Sequence, residues 1–362
     1  MKPLICFYQD DNYIYSNNYV LHSCRVDQSV NDFLTSIESS FKNELKIVQV
    51  NFEYHNQELF NNKLELYPSA PASVFVLNQH EIITSKQVLA KIPSTMTTLN
   101  LQFKTLEEQM SFVDKVNQIK KDISNGRLYQ VNLSAPFVSE STYTPEKIFK
   151  NFFEKFNGQY KALLPLAEYD LISFSPELFL KMQNKKLKTQ PIKGSLASES
   201  DSTASLLNNP KEEAELSMIV DLLRNDLNRI ESENSAQVNF HREIMKLGYI
   251  QHTYSEIEIE SDKNLPEILL CTMPGGSISG CPKIESLNVI NELEIYKRQA
   301  YTGTVGWWKD NNFSLNITIR SFMKYKNQLF YHSGCGIVYD SDAEKEWNEF
   351  LLKAGSLNLK NV

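Results

Sequence analysis

The sequence predicts a mixed fold of helices and largely antiparallel strands, on three observations. Short apolar runs separated by polar turns fill residues 1–104, apolar residues recur every third or fourth position over about 210–230, and residues 301–338 alternate as a strand meander does. Length leaves the domain count open, because 362 residues suit either one large domain or two.

Composition narrows the class. With 41% hydrophobic and 22% charged residues, the chain can bury a sizeable core and is not a disordered one. A net charge of −7 and the lack of a long basic run argue against nucleic acid, and the short cluster Lys185, Lys186, Lys188 beside a predicted turn reads as solvated surface. The start, MKPLICFYQDDNYIY, has no apolar run of signal-peptide length, and no stretch approaches the roughly 20 apolar residues of a membrane span. A cytoplasmic protein is expected. Cys6, Cys24, Cys271, Cys281 and Cys335 are scattered, odd in number and free of CxxC pairs, which supports neither a disulfide framework nor a zinc site.

The elements follow in order. LICFY, YVLHSC, LKIVQVNFEY, SVFVLN and LNLQF read as strands. Thr105 with Glu108 reads as a capping box opening a helix to about Ser124, stopped by Asn125-Gly126. The strand LYQVNLSAPFV carries Gln130, and residues 162–194 read as three strands, with Glu177 at the Ser175-Pro176 bend and Lys193 in the tight setting Pro191-Ile192-Lys193-Gly194-Ser195. A helix runs from Pro210 to about Ile230, with Glu212 and Glu215 on one face near its start. Gln237 to Ile244 and Tyr254 to Glu260 read as strands with His252 between them, and a short helix over 263–273 leads into PGGSISGCPK.

That glycine-rich run invites a phosphate-loop reading. Gly275 and Gly280 have the spacing, but Cys281-Pro282 stands where a lysine and a hydroxyl residue are needed, so the run is a loop opening the helix 283–293. The meander YTGTVGWW, FSLNITIRSFMKY, LFYHSGCGIVYD follows. Ser341 with Glu344 reads as a capping box for a helix to about Leu357, with Glu346, Glu349 and Lys353 on one face.

Two E-x-x-E faces on separate helices suit a hard cation with oxygen ligands, best Mg²⁺, which keeps waters and needs only one or two carboxylates plus an anionic substrate. A nucleophilic lysine must lose its proton, so Lys193 needs desolvation or nearby cations to act. Arg320 would be costly to bury unpaired. Each feature has a plainer reading: helix-dipole complementarity for Glu212 and Glu215, a strand position for Gln130, a satisfied core histidine for His252, and a β-bulge for Gly334 and Gly336.

The runs YQVNLS, SFSPELFL, TQPIKGS, AELSMIVDLLRND, PGGSISGCPK, AYTGTVGW, NITIRS and SGCGIVYDSD occur in the order seen in chorismate-utilising enzymes. Over roughly residues 105–358 the chain resembles that family, and within it the aminodeoxychorismate synthase component I branch. The resemblance implies an α+β fold, two antiparallel β-sheets packed as a sandwich wrapped by helices. Residues 1–104 would be a shortened N-terminal β-rich part of the same domain, and 105–362 the chorismate-binding catalytic core.

It also implies a chemistry. Lys193 would attack C2 of chorismate, Glu177 would assist departure of the C4 hydroxyl, and ammonia from a separate glutamine amidotransferase subunit would enter at C4, giving 4-amino-4-deoxychorismate for 4-aminobenzoate and folate. Substrate contacts would come from Gln130, Ser195, His252, Ser279, Tyr301, Arg320, Gly334, Gly336 and Lys353. Mg²⁺ would be held by Glu215 and Glu349, with Glu212 and Glu346 as outer partners. Gln130 stands where water-adding relatives carry a lysine base, and glutamine cannot deprotonate water. The alternative is anthranilate synthase component I, disfavoured because alanine is usual there at the Lys193 position and the tryptophan-sensing motif is missing. An idle chorismate-binding regulator is the third reading. Ser195 and Ser279 replace the family's usual threonines, and Cys281 its usual alanine.

Overall fold

The computed structural model describes residues 2–54, 56–92, 99–156, 158–197, 207, 210–231, 235–247 and 250–355; the side chains of 195–197, 210–212, 247, 250 and 355 lie outside that description. The strands are β1 (Leu4–Gln9), β2 (Asn12–Ser23), β3 (Lys46–Val50), β4 (Ala72–Thr84), β5 (Lys104–Thr105), β6 (Gln130–Glu140), β7 (Tyr160–Pro165), β8 (Asp170–Ser175) and β9 (Leu178–Gln183). They continue with β10 (Lys186–Gln190), β11 (Ile192–Ala197), β12 (Gln237–Leu247), β13 (Ile250–Glu260), β14 (Gly280–Cys281), β15 (Thr304–Lys309), β16 (Asn312–Ile317), β17 (Ser321–Tyr325) and β18 (Gln328–Ile337). The helices are α1 (Val30–Ser40), α2 (Ser85–Lys91), α3 (Gln109–Ser124), α4 (Pro145–Phe152), α5 (Pro210–Asn228), α6 (Leu265–Thr272), α7 (Gly276–Ser279), α8 (Lys283–Leu293) and α9 (Ala343–Gly355).

The strand pairings are antiparallel and join end to end. One sheet runs β6, β18, β17, β8, β7, β1, β2, with β5 and β14 on the outer edge of β6. The other runs β4, β3, β15, β16, β9, β10, β13, with β11 continuing β10 along one edge of β13 and β12 on the other. β2 and β4 link the two. Leu4, Cys6, Leu164, Met323 and Phe330 from the first sheet share one buried cluster with Ile47, Phe75, Val305 and Trp307 from the second, so the sheets face each other across an apolar layer, as a sandwich requires. Helices cover the outer faces; Phe112 of α3 and Phe350 of α9 stack at 5.0 Å, and Phe350 stacks on Phe137 of β6 at 4.9 Å. The expected α+β sandwich is the fold observed. No helix among the described residues is long and apolar enough to cross a membrane.

Several local expectations are corrected. Residues 160–197 make five strands, not three, because tight turns at Asn184-Lys185 and Pro191 divide what looks like continuous β sequence. LNLQF is not a strand; Leu101 and Phe103 are buried, and pairing begins only at Lys104. The Thr105 hydroxyl accepts from the Glu107 amide at 3.0 Å and closes a turn, so α3 starts three residues later than the capping box suggests. At the other helix Asp342 is the cap, accepting from the Lys345 amide at 2.9 Å, while Ser341 donates to Glu346 at 2.7 Å. His252 lies within β13, not between strands. Helices α1, α2 and α4 were not anticipated, although Val30, Phe33, Leu34 and Ile37 have helical spacing behind a Ser29 cap.

One correction positions the site. The segment read as a single strand, FSLNITIRSFMKY, is cut at Thr318–Arg320, and its halves pair in different sheets: β16 with β9, and β17 with β8. The chain also crosses between sheets from β8 to β9, through Pro176-Glu177. The crossings run side by side: the Ile317 amide donates to the Glu177 carbonyl at 3.2 Å, and the Phe174 amide to the Arg320 carbonyl at 3.2 Å. Arg320 takes φ +51° to turn the corner, a left-handed value uncommon outside glycine and often met at functional positions.

Candidate active site

These crossings place Glu177 and Arg320 at the seam of the two sheets. Glu177 is buried, and its Oε1 accepts the Ser277 hydroxyl at 2.7 Å. Burial pushes its carboxyl above the usual range, opposed by the Ser277 hydrogen bond and by the charges of Lys193 and Arg320. Arg320 is half-buried, and no hydrogen bond or ion pair to its guanidinium is formed among the described residues. Desolvation lowers its pKa, with Tyr331 and Glu177 acting in the other direction.

Lys193 sits half-buried on β11, beside β13. Thr253 Oγ1 donates to its carbonyl at 2.9 Å, and Nδ1 of the buried His252 lies 2.8 Å from the Gly194 carbonyl. That bond makes Nδ1 the protonated nitrogen of a neutral ring. Burial, with Arg320 adding to it, holds His252 below its ordinary range. Gly194 has φ +64°, so the bend after Lys193 favours glycine. The Ser195 side chain lies outside the described residues.

The PGGSISGCPK run is not a plain loop: it makes α7, then β14, then α8. Gly280 pairs with Val131 of β6 at φ +141°, and a Cβ there would come within 2.2 Å of the Gln130 carbonyl. Lys283, opening α8, donates to Asp226 of α5 at 2.6 Å and to the Thr272 carbonyl at 3.0 Å. Burial pushes Asp226 upward even against that ammonium. The pair clamps this run to the helix that carries Glu215. Ser279, expected to face substrate, donates to the Gly275 carbonyl at 2.9 Å.

Gly334 and Gly336 lie in an unbroken register of β18 with β6, so they do not form a bulge. A Cβ at Gly336 would meet the Gln130 amide nitrogen at 2.7 Å, and Gln130 Oε1 is buried without a partner among the described residues. Lys353 donates to the Gly334 carbonyl at 3.1 Å and pairs with Glu349 at 2.7 Å. The buried carboxylate of Glu346, that of Glu349 and the Cys335 thiol offer donor atoms within 4.8 Å of one another. Glu215, half-buried on α5, is not in that cluster, and the Glu212 side chain lies outside the described residues. Helix α5 packs on β11, β13 and β14, and α9 on β18, so the two helices flank β6 and its neighbours.

Tyr301 is buried and stacks on His332 at 4.9 Å. Burial, with Arg298 nearby, holds His332 at about 3. The sequence reading missed Arg298. This fully buried side chain donates to both Glu294 oxygens at 2.6 and 2.9 Å, to the Ile278 carbonyl at 2.8 Å and to the Asn132 carbonyl at 2.5 Å. It also missed Ser277, Asp226, Lys283 and Cys335 as members of the site; all lie inside quoted motifs, but no periodicity marks them.

Comparison with known proteins agrees with the geometry. The family model described as chorismate binding enzyme matches residues 33–358. The chain is 35% identical over 252 residues to aminodeoxychorismate synthase component 1 of Bacillus subtilis, covering 67% of this chain and 54% of that protein. It is 32% identical over 256 residues to an anthranilate synthase component 1 of Haloarcula marismortui, covering 68% and 52%. The chain thus spans about half the length of these curated relatives. Among solved structures, anthranilate synthase component I from Streptococcus pneumoniae TIGR4 superposes with a TM-score of 0.82 at 25% identity, covering 99% of this chain and 90% of that one. The menaquinone-specific isochorismate synthase of Escherichia coli superposes at 0.73 with 18% identity over 99% and 88%, a likeness of fold alone.

Proposed function

The chain belongs to the family of chorismate binding enzymes, and we propose that within it this protein aminates chorismate at C4, as an aminodeoxychorismate synthase component 1. The observation that carries the reading is the seam itself: a buried carboxyl, Glu177, within electrostatic reach of both Lys193 and Arg320. A carboxyl with a raised pKa can donate a proton near neutral pH, and a lysine amine is a nucleophile that can bond to carbon and leave again. Water addition is disfavoured, since Gln130 supplies no base.

The steps balance. Chorismate is held with its carboxylates toward Arg320, Lys353 and the open backbone at Gly334 and Gly336. The neutral Lys193 amine bonds to C2 as the C4–O bond breaks, and the Glu177 proton leaves with that oxygen as water. Ammonia then bonds to C4, the C2–N bond to Lys193 breaks, and Glu177 regains a proton from the new ammonium. His252 stays neutral and fixes the Gly194 bend.

The carboxylates on α5 and α9 are the hard oxygen donors that magnesium takes, so the donor set fits it. Glu215 and Glu349, with Glu212 and Glu346 as outer partners, are the residues that would hold it, and when bound it neutralises a substrate carboxylate. A separate glutamine amidotransferase supplies the ammonia, the product feeds 4-aminobenzoate and folate synthesis, and the setting is cytoplasmic. Residues 1–104 are part of the same domain as 105–362, a reading supported by pairing of β1 with β7 and of β3 with β15.

The test is product identification by mass spectrometry after incubation with chorismate, Mg²⁺ and ammonium. Aminodeoxychorismate supports the reading. Anthranilate with pyruvate would replace it with the anthranilate synthase reading, and bound but unconverted chorismate with an idle partner.

A further inference from the structure

Glu177 makes one side-chain hydrogen bond among the described residues, from Ser277 Oγ to Oε1 at 2.7 Å. That hydroxyl forms no other bond there, and both side chains are buried. The charged groups that act on Glu177 are Lys193, from β11, and Arg320, from the crossing before β17. Ser277 itself is held firmly. It follows Gly276, where a Cβ would meet Leu222 of α5 at 2.6 Å, and it belongs to the run that the Lys283–Asp226 pair locks at 2.6 Å. A carboxylic acid carries its proton on one oxygen and accepts with the other. A hydroxyl donating to Oε1 therefore leaves Oε2 to carry the proton.

We propose that Ser277 is a positioning residue for proton delivery: by donating to Oε1, it makes Oε2 of Glu177 the oxygen that hands the proton to the departing hydroxyl. This rests on the reading of Glu177 as the acid. A donor to a carboxylate also favours its charged form, so Ser277 restrains the upward push of burial and keeps the acid able to cycle. The sequence reading passed over this residue in favour of Ser279.

The test uses the full chain with Ser277→Ala, Ser277→Cys and Ser277→Thr. Infrared difference titration of the ligand-free protein reads the Glu177 carboxyl band, assigned by its loss in Glu177→Gln. Ser277→Ala is expected to move its deprotonation to higher pH, Ser277→Cys to move it the same way by less, and Ser277→Thr to restore the wild-type titration. In turnover, Ser277→Ala should lower kcat by roughly tenfold with KM nearly unchanged. Its alkaline limb should move upward, and Ser277→Ala should cost nothing further in a Glu177→Gln background. A titration unmoved by alanine, no rescue by threonine, or an equal loss without Glu177 would overturn the proposal. Because the titration needs no substrate, a different product with the carboxyl shift intact would count against the amination reading and leave the pairing standing.

Discussion

Arg298 and Arg320 are the same residue type in two kinds of surroundings. Arg298 is fully buried, and all three guanidinium nitrogens donate to Glu294, Ile278 or Asn132. Glu294 is filled from its other side by the Ser134 amide at 2.8 Å and hydroxyl at 3.0 Å. Arg320 is half-buried at a left-handed turn, with no such bond among the described residues. That charge network, with four of the five Arg298 donors bonded, holds β6, α7 and the end of α8 together. An incomplete one, beside Glu177, costs stability until an anion arrives.

The comparison breaks most visibly at Arg298. Arg298→Met strands a buried Glu294, so about 3–5 kcal/mol of stability should be lost in urea unfolding, and a second change, Glu294→Leu, should recover much of it. Arg320→Gln should do the reverse: unfolding is unchanged or slightly improved, while chorismate binding, read by calorimetry, weakens by about 1.5–3 kcal/mol, the worth of hydrogen bonds to a charged group. Equal behaviour of the two variants would erase the distinction.

Two smaller effects sharpen it through pH. His332 beside Arg298 is held near 3, below its ordinary value, so the unfolded chain binds the proton first on acidification. Stability should fall as pH drops below about 6.5, losing about 2 kcal/mol by pH 5, and His332→Phe should flatten that slope in thermal melts. Glu177 has the opposite sign: its raised carboxyl favours the fold at low pH, and that contribution is lost as pH rises from the ordinary carboxyl range through the raised value. Glu177→Gln should therefore melt slightly higher than the wild type at pH 8 and not at pH 4.

How much of this was legible depended on what a linear pattern encodes. Helix α8 was located to the residue, and α5 within two, because their spacing repeats locally. Arg320 drew notice because a charge inside a strand pattern is costly, and Glu177 because it follows the Ser175-Pro176 bend, yet their meeting depends on two sheet crossings that periodicity cannot register. Asp226 was passed over because a charge near a helix end reads as solvent-facing when its partner, Lys283, is distant in sequence, and Arg298 because its pairing with Glu294 four residues earlier looks like an ordinary surface pair. The carboxylates of α9 were found by their spacing, whereas Cys335 beside them was hidden by strand pairing.

The central claim is that Lys193, not merely the surrounding charges, sets where nitrogen enters. The most direct measurement compares products of wild type and Lys193→Ala, with chorismate and saturating ammonium, by mass spectrometry. The wild type is expected to give 4-amino-4-deoxychorismate, and the variant to lose it or divert to another product. The same product at an undiminished rate from Lys193→Ala would contradict it.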